Sequence, residues 1–138
     1  MLATIEPYIT LKDGQANEAI KLYESVFHAK VINVFRLGDM PESPSQPLPP
    51  QMKHLVGDSE IEIQGTILHI SDMQSEDKTH DGHISLLIYL DAESELARVF
   101  DMLKSDGEVL KNISPQPFAK MYAWVKDKYG VSWQLLYN

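Results

Sequence analysis

Apolar and polar residues alternate with period two along Asp81-Gly-His-Ile-Ser-Leu-Leu-Ile-Tyr-Leu-Asp91, the pattern of a strand half buried in a sheet. The count puts His83, Ser85, Leu87 and Tyr89 on one face and Ile84, Leu86, Ile88 and Leu90 on the other. The second face is continuous hydrocarbon and calls for a helix or a second sheet against it. The mixed face, with His83, is left to line whatever cavity the fold has.

The same periodicities divide the rest of the chain. Ile5, Ile9 and Leu11 alternate with Glu6, Tyr8 and Thr10, which predicts an opening strand with Pro7 near its edge. After the turn Lys12-Asp13-Gly14, apolar residues at Ala16, Ala19, Ile20, Tyr23 and Phe27 predict a helix buried on one side. The β-branched stretch Lys30 to Leu37 reads as a second strand. Met40 to Gln51 is proline-rich, cannot sustain helix or ladder, and reads as an extended surface loop, a candidate lid and the most mobile segment. Lys53 to Gln64 and Thr66 to Asp72 read as strands meeting at Gly65, with Ile67, His69 and Ser71 opposed to Leu68 and Ile70. Ser75 to His80 reads as a polar linker.

A second helix is expected after Asp91, whose carboxylate suits an N-cap, with a buried stripe of Leu96, Val99, Phe100 and Leu103 and a stop at Asp106-Gly107. Val109 to Ile113, Phe118 to Lys126 and Val131 to Tyr137 read as three further strands, the last two joined by a turn at Asp127 to Gly130. The order strand, helix, three strands therefore occurs twice. Glu18-Ala19-Ile20-Lys21-Leu22-Tyr23 also resembles Glu95-Leu96-Ala97-Arg98-Val99-Phe100, so the chain reads as an internal duplication. The fold class is α+β: two βαβββ modules in tandem, the first about residues 1–75 and the second about residues 80–138, within a single domain.

Composition narrows the chemistry. A chain of 138 residues, 43% hydrophobic and 23% charged, is long enough to bury a proper core. No run of about 18 apolar residues is present to cross a membrane, and the N-terminal stretch lacks a basic region followed by an apolar one, so a cytoplasmic location is expected. Without cysteine, thiolate chemistry is excluded and any metal must be held by nitrogen and oxygen. Twenty acidic residues against twelve basic ones give a net charge of −8 with no basic stripe, which disfavours nucleic acid and leaves a small organic ligand as the expected partner.

The duplication pairs Glu6 with His83 on the opening strands and His69 with Gln134 on the closing strands. All four are metal-ligating residue types on the more polar side of their strands. Two imidazoles, a carboxylate and an amide oxygen suit Zn²⁺, Ni²⁺, Fe²⁺ or Mn²⁺. Polar residues on a partly solvated sheet face are also ordinary, so a metal-free reading stands beside this one. His28 at a helix end suits a cap, His54 a strand position and His80 a solvated linker. Tyr8, Phe118, Tyr122 and Trp124 are candidates for the aromatic floor of a ligand pocket, with burial in the core as the alternative.

Pro7-Tyr8-Ile9, Ala19 to Phe27, Leu68-His69-Ile70-Ser71-Asp72 and Val125 to Trp133 together resemble the PhnB-like branch of the vicinal oxygen chelate superfamily, which includes glyoxalase I, bleomycin-resistance proteins and extradiol dioxygenases. The resemblance spans nearly the whole chain. It implies curled mixed sheets forming a cleft, often completed in a homodimer, and metal ligands at Glu6, His69, His83 and Gln134. It further implies a small-molecule-binding protein and a divalent-metal-dependent enzyme of lyase, isomerase or dioxygenase type that chelates adjacent substrate oxygens. Because Gln134 cannot ionise, Glu6 is the remaining catalytic base among these ligands. The alternative is a metal-free module that sequesters its ligand as bleomycin-resistance proteins do.

Overall fold

A computed structural model of the chain describes residues 6–39, 47–73 and 84–138. Ile5, most of the proline-rich loop, the polar linker and His83 lie outside the described residues. The chain falls into two compact units, Met1–Lys78 and Thr79–Asn138.

In the first unit, β1 (Tyr8–Leu11) leads to α1 (Ala16–Phe27), then to β2 (Lys30–Arg36), β3 (Val56–Ile63) and β4 (Thr66–Asp72). The sheet order is β1-β4-β3-β2. β1 runs parallel to β4, while the β2–β3 and β3–β4 pairs are antiparallel. The β3–β4 hairpin turns on Gln64 and Gly65, both at positive φ (49° and 87°) between the paired Ile63 and Thr66. A two-residue loop with both centres left-handed matches the twist of the strands, and glycine takes its half of that geometry without a Cβ clash. α1 buries Ala16, Ala19, Ile20, Tyr23, Val26 and Phe27 and packs on β2, β3 and β4. Its end is set by His28, left-handed at φ 54°, whose N–H donates to the Tyr23 carbonyl, so this histidine does cap the helix.

The second unit repeats the plan. β5 (Leu86–Tyr89), α2 (Glu93–Lys104), β6 (Glu108–Gln116), β7 (Ala119–Lys126) and β8 (Ser132–Tyr137) follow one another, and the sheet order is β5-β8-β7-β6 with β5 parallel to β8. Leu96, Val99, Phe100 and Leu103 form the buried stripe of α2, each contributing about 1.5–3 kcal/mol by leaving water. Opposite them lie the buried Ala123, Val125, Trp133 and Leu135 of β7 and β8.

Several expectations are corrected in detail. The helix cap falls on Ala92, not Asp91, so the capping residue brings no side-chain hydrogen bond to the first turn. The cause is that Leu90 is still held to the sheet, its N–H donating to the Leu136 carbonyl at 2.8 Å, so the chain leaves the sheet one residue later than the cap requires. Lys53 to Leu55, with His54, form a turn rather than a strand. Pro50 opens a short 3₁₀ turn to Met52, a position where its missing N–H costs nothing, and the chain remains turned until Val56. β7 begins at Ala119, leaving Phe118 in the preceding turn. Ile88 and Leu90 are buried as the alternation requires, whereas Ile84, ahead of the strand, is 83% exposed.

Buried carboxylates close both units. Asp72 accepts from the N–H of Ala16 at 2.9 Å and from that of Val56 at 2.8 Å, so the end of β4 supplies the N-terminal cap that Gln15 does not. Asp127 accepts from the backbone of Tyr129 and Val131 and from the Trp133 indole at 2.9 Å, which fixes the β7–β8 turn. Asp72→Ala leaves two buried donors unpaired and is expected to destabilise the protein by about 3 kcal/mol. In urea unfolding the midpoint should fall with an unchanged slope. A loss within about 0.5 kcal/mol would contradict the capping role.

Candidate functional site

The face of the first sheet turned away from α1 carries the polar residues of three strands. On β4 it presents His69, and the antiparallel register places Glu60 of β3 directly opposite. Two residues back along β3, on the same side, stands Asp58. On the other flank, the parallel register pairs His69 with Tyr8, and Glu6 lies two residues before Tyr8. One imidazole is therefore surrounded by three carboxylates that come from both neighbouring strands.

The contacts are specific. His69 Nε2 is 2.8 Å from Glu6 Oε1, and His69 Nδ1 is 3.3 Å from Asp58 Oδ1. Asp58, Glu60 and His69 each bring a ligand atom within 4.8 Å of the others. The Tyr8 ring stacks on the imidazole with centroids 5.4 Å apart and planes 10° from parallel, so Tyr8 covers one side of the ring while itself exposed. The Glu6 hydrogen bond raises the His69 pKa above its ordinary value of 6.5, aided by Asp58 and opposed by burial. One nitrogen and several oxygens, all hard or borderline donors, are a set that a divalent cation accepts.

The second sheet places different chemistry at the equivalent points. Here Gln134 pairs in register with Leu87, as His69 pairs with Tyr8. The strand offset between modules is thus 87 − 8 = 79 residues, while the helix offset is 93 − 16 = 77. Two residues of the turn between β1 and α1 have no counterpart between β5 and α2. The duplication as read from the sequence pairs Glu6 with His83, whereas continuing the two parallel registers back from Tyr8 and Leu87 sets Glu6 level with Ser85. Gln134 stands at the register position that His69 holds in the first sheet, and its side chain is engaged at both ends. Its oxygen accepts from the Tyr122 hydroxyl at 2.6 Å, and its amide nitrogen donates to Ser85 Oγ at 2.6 Å.

The aromatic candidates divide between the core and the surface. Tyr122 is buried with Ala119 and Leu136, and Trp124 packs against that cluster while its indole donates to Ser132 Oγ at 2.7 Å. Burial pushes the Tyr122 phenol up. Phe118 is exposed and meets Tyr122 edge-on at 5.2 Å. Asp58 and Glu60 escaped the sequence reading, although period-two counting along β3 puts both on the His69 side, opposite the buried Ser59, Ile61 and Ile63.

Two four-stranded mixed sheets, each with a parallel opening and closing strand and one helix on its face, define the glyoxalase-like fold of the vicinal oxygen chelate superfamily. Within it, the chain belongs to the family described as 3-demethylubiquinone-9 3-methyltransferase, whose model matches residues 4–136 and which is the PhnB-like branch. A curated relative, protein YjdN of Escherichia coli, is 23% identical over 95% of this chain and 92% of its own length. Among solved structures, a putative 3-demethylubiquinone-9 3-methyltransferase, PhnB protein, from Bacillus cereus is 27% identical with a TM-score of 0.79, covering 99% of this chain and 100% of that one. A mutant of the fosfomycin resistance protein FosX from Listeria monocytogenes, in complex with Mn(II) and 1S,2S-dihydroxypropylphosphonic acid, shares the fold at a TM-score of 0.65 and 12% identity, covering 99% of this chain and 93% of that one. No helix among the described residues is long and apolar enough to cross a membrane.

His69 carries a sign that can be measured. Its folded pKa is raised, so its contribution to stability is fully present below the unfolded value of about 6.5 and is lost as pH rises through the folded value. In metal-free protein, an NMR titration of the His69 ring should give a midpoint above 6.5 that falls in Glu6→Gln. The stability gap between wild type and Glu6→Gln should be wider at acidic than at alkaline pH. A midpoint that does not move in the variant would show that Glu6 does not hold the imidazolium.

Proposed function

We propose that the protein binds a small molecule with the help of a divalent cation held on the first module by His69 and Glu6, with Asp58 and Glu60 flanking them. The observation that carries this reading is the approach of Glu6 Oε1 to His69 Nε2 at 2.8 Å within a group of carboxylates. Carboxylates on both sides of one imidazole repel each other unless a positive charge lies among them, which the protonated ring supplies in metal-free protein and a bound cation would supply in its place. The FosX neighbour's Mn(II) complex supports the same class of cation, and Zn²⁺, Ni²⁺, Fe²⁺ and Mn²⁺ all suit a nitrogen and oxygen set.

A bound divalent cation would supply Lewis acidity to two adjacent oxygens of the ligand. The chain's own residues do the remainder. Glu6 is the carboxylate in reach to accept a proton at Oε1, and Tyr8 shields the ring from water on one side. Gln134, an amide, can orient a polar group but cannot take its proton, so a proton abstraction rests on Glu6. His83 and Gln134 remain the second module's candidate ligands. The acting form is a homodimer in the cytoplasm; exposed Leu87 and Tyr89 on β5 are apolar surface that a second copy covers.

The alternative is a metal-free sequestering module, and the exposed aromatics Tyr8 and Phe118 favour it. The deciding experiment is metal analysis of protein purified without a histidine tag, followed by titration of stripped protein with Mn(II), Ni(II) and Zn(II). The proposal expects about one cation per chain, with His69→Ala abolishing binding and Glu6→Gln weakening it at least about tenfold, since loss of a charged ligand costs more than about 1.4 kcal/mol. Wild-type protein that takes up no cation, yet binds an organic ligand, would replace this reading with sequestration.

A further inference from the structure

We propose that Ser85 is a ligand-binding residue: its hydroxyl ends a directed row of hydrogen bonds, set by Tyr122 and Gln134, and donates to an anionic oxygen of a small carboxylate. This deepens the small-molecule reading above and needs no cation.

Ser85 stands just ahead of β5, and Gln134 of β8 and Tyr122 of β7 follow it across the sheet in the order β5-β8-β7. The Tyr122 hydroxyl donates to Gln134 Oε1 at 2.6 Å, and Gln134 Nε2 donates to Ser85 Oγ at 2.6 Å. A serine hydroxyl has one donor and two lone pairs. With a lone pair filled from Gln134, the Ser85 proton is left to give, and among the described residues no acceptor takes it.

The row has a direction. Turning the Gln134 amide over would make Ser85 the donor to the amide oxygen and leave Tyr122 as the free end. Two features oppose that. A phenol is more acidic than an alcohol, so tyrosine is the better donor of the two hydroxyls and serine the better acceptor. Lys111 Nζ lies 5.8 Å from the centre of the Tyr122 ring, and a positive charge on that side favours a phenolic proton turned away from it. Each bond in such a row polarises the next, which strengthens the Ser85 O–H as a donor. A donor of this kind suits an oxygen that carries negative charge, where the bond is about twice as strong as to a neutral one. Trp124, opposite Gln134 in the register and half-buried, offers ring surface beside the row to the flat body of such a ligand.

The test uses the full chain, stripped of metal, with benzoate as the probe and its neutral isostere nitrobenzene as the control, read by NMR at the Gln134 side-chain amide. Benzoate should shift the Gln134 resonances, and nitrobenzene should bind at least about tenfold more weakly. Affinity for benzoate should fall about tenfold or more in Ser85→Ala and stay within about threefold of wild type in Ser85→Thr, which keeps the hydroxyl. Tyr122→Phe frees the amide to turn and accept from Ser85, so it should weaken benzoate by about tenfold as well. Because Tyr122 acts through Ser85, the double variant should bind no more weakly than Ser85→Ala alone. Losses that add would make Tyr122 a separate contact and overturn the row. The same cycle run with Gln134→Leu reads the row if Tyr122→Phe does not fold. No shift at Gln134 in the wild type, or full affinity in Ser85→Ala, overturns the proposal. Mn(II) uptake by the same protein separates the two readings: benzoate binding without cation uptake removes the metal and keeps Ser85, and cation uptake without benzoate binding does the reverse.

Discussion

The parallel pairing of each module's opening strand with its closing strand is the constraint on which the candidate site depends. A hairpin brings together residues close in sequence, but a parallel pair needs a crossover, here supplied by a helix and two further strands. Through it Tyr8 meets His69 in register, and Glu6 comes within 2.8 Å of a side chain 63 positions away. The crossover is held by Asp72, which joins the end of β4 to the first turn of α1 and to the start of β3. A site built on paired strands inherits their rigidity.

The two modules use one plan for different chemistry. In the first, equivalent points on the parallel pair hold an acid and an imidazole, and the neighbouring strand adds two more acids. In the second, the same points hold Ser85 and Gln134, and the adjoining strand adds Tyr122, so the chain of contacts is neutral and each amide atom is satisfied internally. Charged groups gathered on a half-buried sheet face need a counter-charge, while a satisfied neutral row does not. That asymmetry is why the proposed cation is placed on the first module rather than the second.

Period and punctuation made most of the fold legible. Both helices, the buried stripes of α1 and α2, and the turns at Gln64-Gly65 and Asp127 to Gly130 follow from apolar spacing and turn residues. The faces of β1 and β4 were also readable, and with them Glu6, Tyr8 and His69. Long-range accommodation was not. The site of the α2 cap depends on how long Leu90 stays bonded to β8, and the capping of α1 by Asp72 spans 56 residues. The equivalence of Glu6 with Ser85 follows from the parallel registers of the two strand pairs, which residue types along the strands do not reveal. Asp58 and Glu60 were visible as one face of β3, but only the register of β3 against β4 shows that this face meets His69.

The central claim is that the first module's parallel strand pair holds a cation between Glu6 and His69. Anomalous diffraction at the manganese edge from crystals grown with Mn(II) tests it most directly. The account predicts a peak within bonding distance of both Glu6 Oε1 and His69 Nε2. A peak bound by other carboxylates alone, or no ordered manganese in a fully occupied lattice at saturating Mn(II), would contradict it.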